Sequence, residues 1–125
     1  MSARAYAANL TVLASLCGSE YLPDFKNMIL ILEDIDEPLY KLDRMLNQLQ
    51  LNGVFKNLTA LIFADFSGST DKPAELNELL MRISGKLSMP CLKGFPFGHT
   101  LPMCAVNSSL KLSLQLPRRI HFSLV

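Results

Sequence analysis

The strongest constraint on how this chain can fold is a change of pattern across residues 28–40. Met28-Ile-Leu-Ile-Leu32 is apolar without a break, as expected for a strand buried on both faces of a parallel or mixed sheet. The run gives way to Glu33, Asp34, Asp36 and Glu37, four carboxylates within five residues, and then to Pro38. Beyond the proline the period becomes helical, with Leu39, Leu42, Met45, Leu46 and Leu49 on one face. A strand therefore leads through an acidic turn into an amphipathic helix. Sites in α/β sheets are usually built at the C-terminal ends of strands. Glu33, the first acid after the apolar run, is the residue best placed for one.

A second unit repeats this grammar. Thr59-Ala-Leu-Ile-Phe-Ala-Asp-Phe66 is another apolar run, ending in Asp65 and the polar stretch Ser67–Asp71. The helix that follows is predicted from Pro73 to Leu87, with Leu76, Leu79, Leu80, Ile83 and Leu87 as its apolar face. Upstream, Ser2–Ser19 reads as a helix with an irregular start, Asn9 as a plausible N-cap and Gly18 as its stop. Asn52-Gly53 ends the helix after Pro38, and Phe55 and Leu58 are expected to tuck inward. Met89–Lys93 is a short strand, and Gly94–Thr100 a loop stiffened by Pro96. Leu110–Leu116 alternates strictly, and Ile120, Phe122 and Leu124 alternate after a turn at Pro117–Arg119, which predicts a terminal β-hairpin. The fold class is α/β, with a small mixed sheet or partly closed barrel, about three flanking helices and that hairpin.

At 125 residues the chain is one domain, long enough to bury a proper core. Twelve basic and eleven acidic residues leave a net charge of +1, so nothing in the charge favours nucleic acid or an anionic membrane as partner. No apolar run approaches the roughly 20 residues of a membrane helix, and no basic-then-apolar signal pattern opens the chain. Cys17, Cys91 and Cys104 lack both the paired spacing of a zinc site and the even count of a disulfide framework. They read as buried, reduced thiols of a cytoplasmic protein, and neither metal nor cofactor is expected. A positive mean hydropathy, +0.25, suits a surface made to meet another domain as well as it suits a large core.

Acid–base chemistry needs an imidazole and a carboxylate to orient it. Of the two histidines, His121 falls in the terminal strand opposite the face of Ile120 and Phe122, a surface position. His99 follows Gly98 in a loop held by Pro96 and Pro102 and is the better candidate. Glu33 and Asp65 are the acids at strand ends, while Asp34, Asp36 and Glu37 suit the start of the next helix. Asp43 and Arg44 could pair locally. Ser67 and Ser69 lack a Gly-x-Ser-x-Gly elbow, and no glycine-rich phosphate loop occurs. An acid and a base are thus present without a nucleophile.

These residues also carry a resemblance. Asn9-Leu10, Ile31-Leu32-Glu33-Asp34-Ile35 with Glu37-Pro38-x-Tyr40, Asp43-Arg44-Met45-Leu46-x-Gln48-Leu49 and Gly53 occur in order. Asp65-Phe66-Ser67 and Pro96-Phe97-Gly98-His99 with Leu101-Pro102 follow them. The pattern, from about Asn9 to Leu116, resembles the C-terminal domain of the LD-carboxypeptidases, serine peptidases of the muramoyltetrapeptide carboxypeptidase family. The resemblance implies a swivelling-type barrel that supplies the glutamate and histidine of a Ser-His-Glu triad, here Glu33 and His99. The serine would come from an N-terminal α/β domain, which is expected to be missing from this chain. It further implies a cytoplasmic, metal-free hydrolase that removes terminal D-alanine from murein tetrapeptides during cell-wall recycling. A related branch cleaves peptide–nucleotide antibiotics; Asp34 after Glu33 is more like the murein branch.

The chain departs from the family at Ala7-Ala8, at Ala64 and at Asn27, where the pattern has glycine. Alanine is strained wherever the backbone needs a positive φ. Two readings of different class follow. In the first, the chain is the acid/histidine half of the peptidase and hydrolyses nothing without the nucleophile domain. In the second, it is an isolated or engineered non-catalytic domain, a scaffold or interaction module that self-associates, for instance as a homodimer, through the surface a lost partner would leave. A complete small enzyme built on Ser67 or Ser69 is the weakest reading.

Overall fold

The computed structural model describes residues 1–115 with their side chains and the backbone of residues 119–122. It is an α/β fold. Six strands form one mixed sheet: β1 (Ser2–Asn9), β2 (Ile29–Glu33), β3 (Ala60–Phe63), β4 (Cys91–Lys93), β5 (Lys111–Gln115) and β6 (Arg119–Phe122), in the order β4-β3-β2-β1-β5-β6. Strands β1 to β4 are parallel, β5 runs antiparallel to β1, and β6 antiparallel to β5. Three helices connect the parallel strands: α1 (Leu10–Ser15), α2 (Leu39–Leu51) and α3 (Pro73–Ser84).

That order decides where the helices go. Each parallel step moves one strand in the same direction, and right-handed crossovers taken repeatedly in one direction place every helix on one face. Leu10 and Leu13 of α1, Leu42, Met45, Leu46 and Leu49 of α2, and Leu79, Leu80 and Ile83 of α3 accordingly join a single core with Leu30, Leu32, Leu61 and Phe63 of the sheet. The alternate residues of the same strands face the other way. Ile29, Ile31, Ala60, Ile62 and Ala64 form a second core with Ala3, Ala5, Leu112, Leu114 and Phe95. None of the described helices covers that face. Its cover comes from the chain between β4 and β5, which must travel from one side of the sheet to beyond β1. That is four strand spacings, about 19 Å at about 4.8 Å each. Phe95, Phe97, Cys104 and Val106 of this segment pack on the second core.

Most sequence expectations hold. Helices α2 and α3 bury the predicted faces, Phe55 and Leu58 are buried, and Gly53 takes a positive φ just past the C-cap of α2. The β5–β6 hairpin forms, with Leu112 opposite Phe122 and Leu114 opposite Ile120. The turn at 116–118, the alternation to Leu124 and the surface placing of the His121 side chain lie outside the described residues.

One element is corrected. Ser2–Asn9 is a strand, and only Leu10–Ser15 is helical. Four alanines favour a helix intrinsically. Here β2 and β5 offer a backbone ladder on both sides, and that pairing outweighs a preference of a few tenths of a kcal/mol per residue. Small side chains at Ala3, Ala5 and Ala7 keep the second face shallow, so the covering segment can lie close. The predicted N-cap survives: Asn9 Oδ1 accepts from the Val12 amide at 3.0 Å.

The glycine departures separate by conformation. Asn27 has φ +60, a value asparagine tolerates, whereas Ala7, Ala8 and Ala64 are not among the residues with positive φ. The alanines therefore carry no backbone strain of that kind. The three cysteines are free thiols and are half-buried rather than fully buried, because each lies at the margin of a core. Burial pushes the Cys17 and Cys91 thiols up.

Candidate active site

Glu33 is the last residue of β2, aligned with Asn9 of β1. Strand alternation puts Leu30 and Leu32 on the helical face, so Glu33 shares the other face with Ile29 and Ile31. Its side chain is only 5% exposed. A carboxylate so buried needs a hydrogen-bonded partner, since an isolated charge there would cost several kcal/mol. His99 supplies it: Nδ1 lies 2.8 Å from Glu33 Oε2, although the two residues are 66 positions apart in the chain. With a carboxylate as acceptor, Nδ1 carries the proton and donates it. The second ring nitrogen, Nε2, is then free to act as a base on a side chain that is 50% exposed.

The loop holding His99 is fixed from both ends. Phe95 is buried in the second core, and the Cys104 amide donates to Pro96 O at 2.7 Å. The Leu101–Pro102 peptide bond is cis. Asp65 grips the loop on either side of Gly98-His99. Its amide donates to Phe97 O at 3.1 Å, and its Oδ2 accepts from the Thr100 amide at 3.1 Å and the Thr100 hydroxyl at 2.7 Å. Oδ1 accepts from the Ser67 amide at 3.0 Å. Burial raises the Asp65 carboxyl, but the hydrogen bonds from Thr100 and Ser67 outweigh it and hold the group below the ordinary value of 3.8. Gly98 has φ +144, and a Cβ there would collide with the Cβ of Asp65. Glycine is required at that position on both counts.

The neighbouring acids have other tasks than expected. Asp34 points to the helical face, where it accepts from the Thr11 amide (2.9 Å), the Thr11 hydroxyl (2.7 Å) and Asn9 Nδ2 (3.1 Å). It anchors the start of α1, not of α2, because alternation turns it away from Glu33. The first turn of α2 has no side-chain cap and contains no acid. Glu37 pairs with Lys41 at 3.2 Å, and Asp36, at φ +57, donates its amide to Ser67 O. Asp43 pairs with Arg82 of α3 at 3.1 Å rather than with Arg44. Ser69 is buried, and neither its hydroxyl nor that of Ser67 is hydrogen-bonded to His99. Among the described residues no three His, Cys, Asp or Glu side chains stand together as metal ligands. No described helix is long and apolar enough to cross a membrane.

The sequence singled out both Glu33 and His99. It missed the grip of Asp65 on the His99 loop and the role of Asp34 at α1. The adjacent carboxylates Glu33-Asp34 at a strand end held one usable signal, since continued alternation turns them to opposite faces.

Comparison with known proteins places the chain in a family. Residues 2–114 match the family model of the LD-carboxypeptidase C-terminal domain. The chain is 33% identical over 110 residues to the probable murein peptide carboxypeptidase of Bacillus subtilis, covering 85% of this chain and 34% of that protein. It is also 33% identical over 123 residues to the microcin C7 self-immunity protein MccF of Escherichia coli, covering 93% of this chain and 35% of that protein. The crystal structure of muramoyltetrapeptide carboxypeptidase from Oxalobacter formigenes superposes with a TM-score of 0.80 and 32% identity, over 90% of this chain and 41% of that one. The chain spans about a third of the length of the curated relatives it matches.

Proposed function

The chain belongs to the LD-carboxypeptidase family, matching its C-terminal domain, and on that premise we propose that Glu33 and His99 are the acid and base of a Ser-His-Glu triad. The observation that carries the reading is the 2.8 Å contact between a buried Glu33 and a half-exposed His99. The nucleophile is a serine on the family's N-terminal domain. The substrate is a murein tetrapeptide, cleaved in the cytoplasm to release D-alanine for peptidoglycan recycling.

The chemistry follows from the ring. His99 Nε2 takes the serine proton as the serine oxygen attacks the carbonyl carbon before D-alanine. Glu33 remains ionised and stabilises the imidazolium through Nδ1–H. Nε2 then protonates the departing amine, leaving an acyl-enzyme. A water gives its proton to the same nitrogen and attacks the ester, and Nε2 returns that proton to the serine oxygen as the shortened peptide leaves. Exposed Leu101 and Met103, 83% and 56% accessible, follow the histidine in the chain and suit a face that meets the nucleophile domain. That domain also supplies the oxyanion hole, so the 125-residue chain alone hydrolyses nothing.

The test is to combine this chain with the N-terminal domain of a family member and measure D-alanine release from a murein tetrapeptide. Activity should appear only in the mixture and fall about 10⁶-fold in His99→Ala and about 10⁴-fold in Glu33→Ala. Activity that survives His99→Ala would refute the assignment. The likeness to MccF, which has been solved in complex with glutamyl sulfamoyl guanosine and with aspartyl sulfamoyl adenosine, supports a second substrate class, an aminoacyl–nucleotide conjugate. Offering both substrates to the same mixture decides between them.

A further inference from the structure

We propose that Asp65 is a positioning residue of the reaction, holding His99 on Glu33 by clamping the backbone on both sides of Gly98-His99. The proposal rests on the reading of His99 as the triad base. Three hydrogen bonds carry it: Asp65 amide to Phe97 O at 3.1 Å, and the Thr100 amide and hydroxyl to Asp65 Oδ2 at 3.1 and 2.7 Å. They flank the two residues between them. The carbonyl of Asp65 closes the frame on the other side, accepting from the amide of Asp34 at 2.9 Å, next in the chain to Glu33. One residue thus ties the strand end that carries the acid to the loop that carries the base.

A turn-capping role alone does not account for this arrangement. The local cap uses only Oδ1, on the Ser67 amide two residues away. Oδ2 is given wholly to Thr100, 35 residues away. The clamp also explains why position 98 is glycine, since the loop passes so close to Asp65 that a Cβ there would overlap it. Hydrogen bonds to a carboxylate are roughly twice as strong as neutral ones. Their loss frees a loop whose histidine is fastened to Glu33 at one atom. In Asp65→Asn one carboxylate oxygen becomes an NH₂ group. In either orientation of the amide, Ser67 or Thr100 loses an acceptor.

The experiment reads the His99 ring in this chain by long-range ¹H–¹⁵N correlation at a pH where the imidazole is neutral. Wild type should show a single Nδ1–H tautomer. Asp65→Asn should lose it for the averaged signature of a free imidazole, with the core resonances of β2 and β3 unchanged. Thr100→Val, which removes one donor, should move the same way by less, and Thr100→Ser should restore the wild-type signature. A wild-type Nδ1–H ring left unchanged by both Asp65→Asn and Thr100→Val overturns the positioning role and leaves the triad assignment standing. A wild-type ring already averaged between tautomers, and insensitive to Glu33→Gln, overturns the dyad and the positioning role with it. Should Asp65→Asn not fold, the two Thr100 variants alone distinguish the same outcomes.

Discussion

Replacing Gly98 by alanine should cost this domain much more than replacing Gly94, and the structure says by how much. Both glycines have positive φ, +89 at Gly94 and +144 at Gly98, and both lie in the segment that leads to His99. At Gly94 a new Cβ would meet nothing within 4 Å, so only the backbone term applies. That term is about 1–2 kcal/mol, offset by about 0.4–1 kcal/mol because alanine also restricts the unfolded chain. The net for Gly94→Ala is roughly 0.5–1.5 kcal/mol. At Gly98 the Cβ would overlap the Cβ of Asp65 and lie 3.1 and 3.2 Å from its Oδ2 and Cγ. Asp65 cannot move aside, since its own amide, carbonyl and carboxylate are all engaged. Overpacking of this kind adds about 1–3 kcal/mol, bringing Gly98→Ala to roughly 2–4 kcal/mol. The chain has no tryptophan, so urea unfolding followed by far-UV circular dichroism is the suitable assay. With a slope of about 2 kcal/mol/M, the midpoint should fall by about 1–2 M for Gly98→Ala and well under 1 M for Gly94→Ala. Equal midpoints for the two variants would refute the argument, because only the Cβ at position 98 meets Asp65.

Other perturbations follow from the same contacts. Asp34→Ala removes the acceptor of the Thr11 amide, the Thr11 hydroxyl and Asn9 Nδ2, and should destabilise by about 2–4 kcal/mol in urea unfolding; a loss under about 0.5 kcal/mol would contradict its role at α1. The Asp65 carboxyl is held below its unfolded value of 3.8, so its contribution is complete above that value and is lost as pH falls through the lower, folded one. Comparing wild type with Asp65→Asn between neutral pH and pH 3 should therefore show their midpoints converging on acidification, and a constant gap would count against it. Arg82→Ala breaks a pair whose side chains are 51% and 36% exposed, and should cost under about 1 kcal/mol, less still in high salt.

Much of the architecture was legible because periodicity is a local property. The helical faces of α2 and α3 recur at three and four residues, and β2 and β3 are unbroken apolar runs, so each element announces itself without its neighbours. Ser2–Asn9 did not, because alanine fits either element and the partner strands lie about 25 and 110 residues further along. The site divides in the same way. Glu33 stood out by its place at the end of β2, and His99 by its rigid loop. Asp65 looked like one more acid at a strand end, since its hydrogen bonds to Thr100 span 35 residues that carry no shared period.

What the sequence determined by itself is the set of elements and the chemistry on offer: buried strands ending in acids, amphipathic helices, a terminal hairpin, two carboxylates at strand ends and one imidazole in a rigid loop. The tertiary structure decided which face each of them serves. Repeated crossovers in one direction put all three helices on one side of the sheet, and strand alternation turned Glu33 to the other while Asp34 went to α1. The return of the chain across that bare face then carried His99 to within 2.8 Å of the buried glutamate. Those outcomes depend on strand order, which no local pattern encodes.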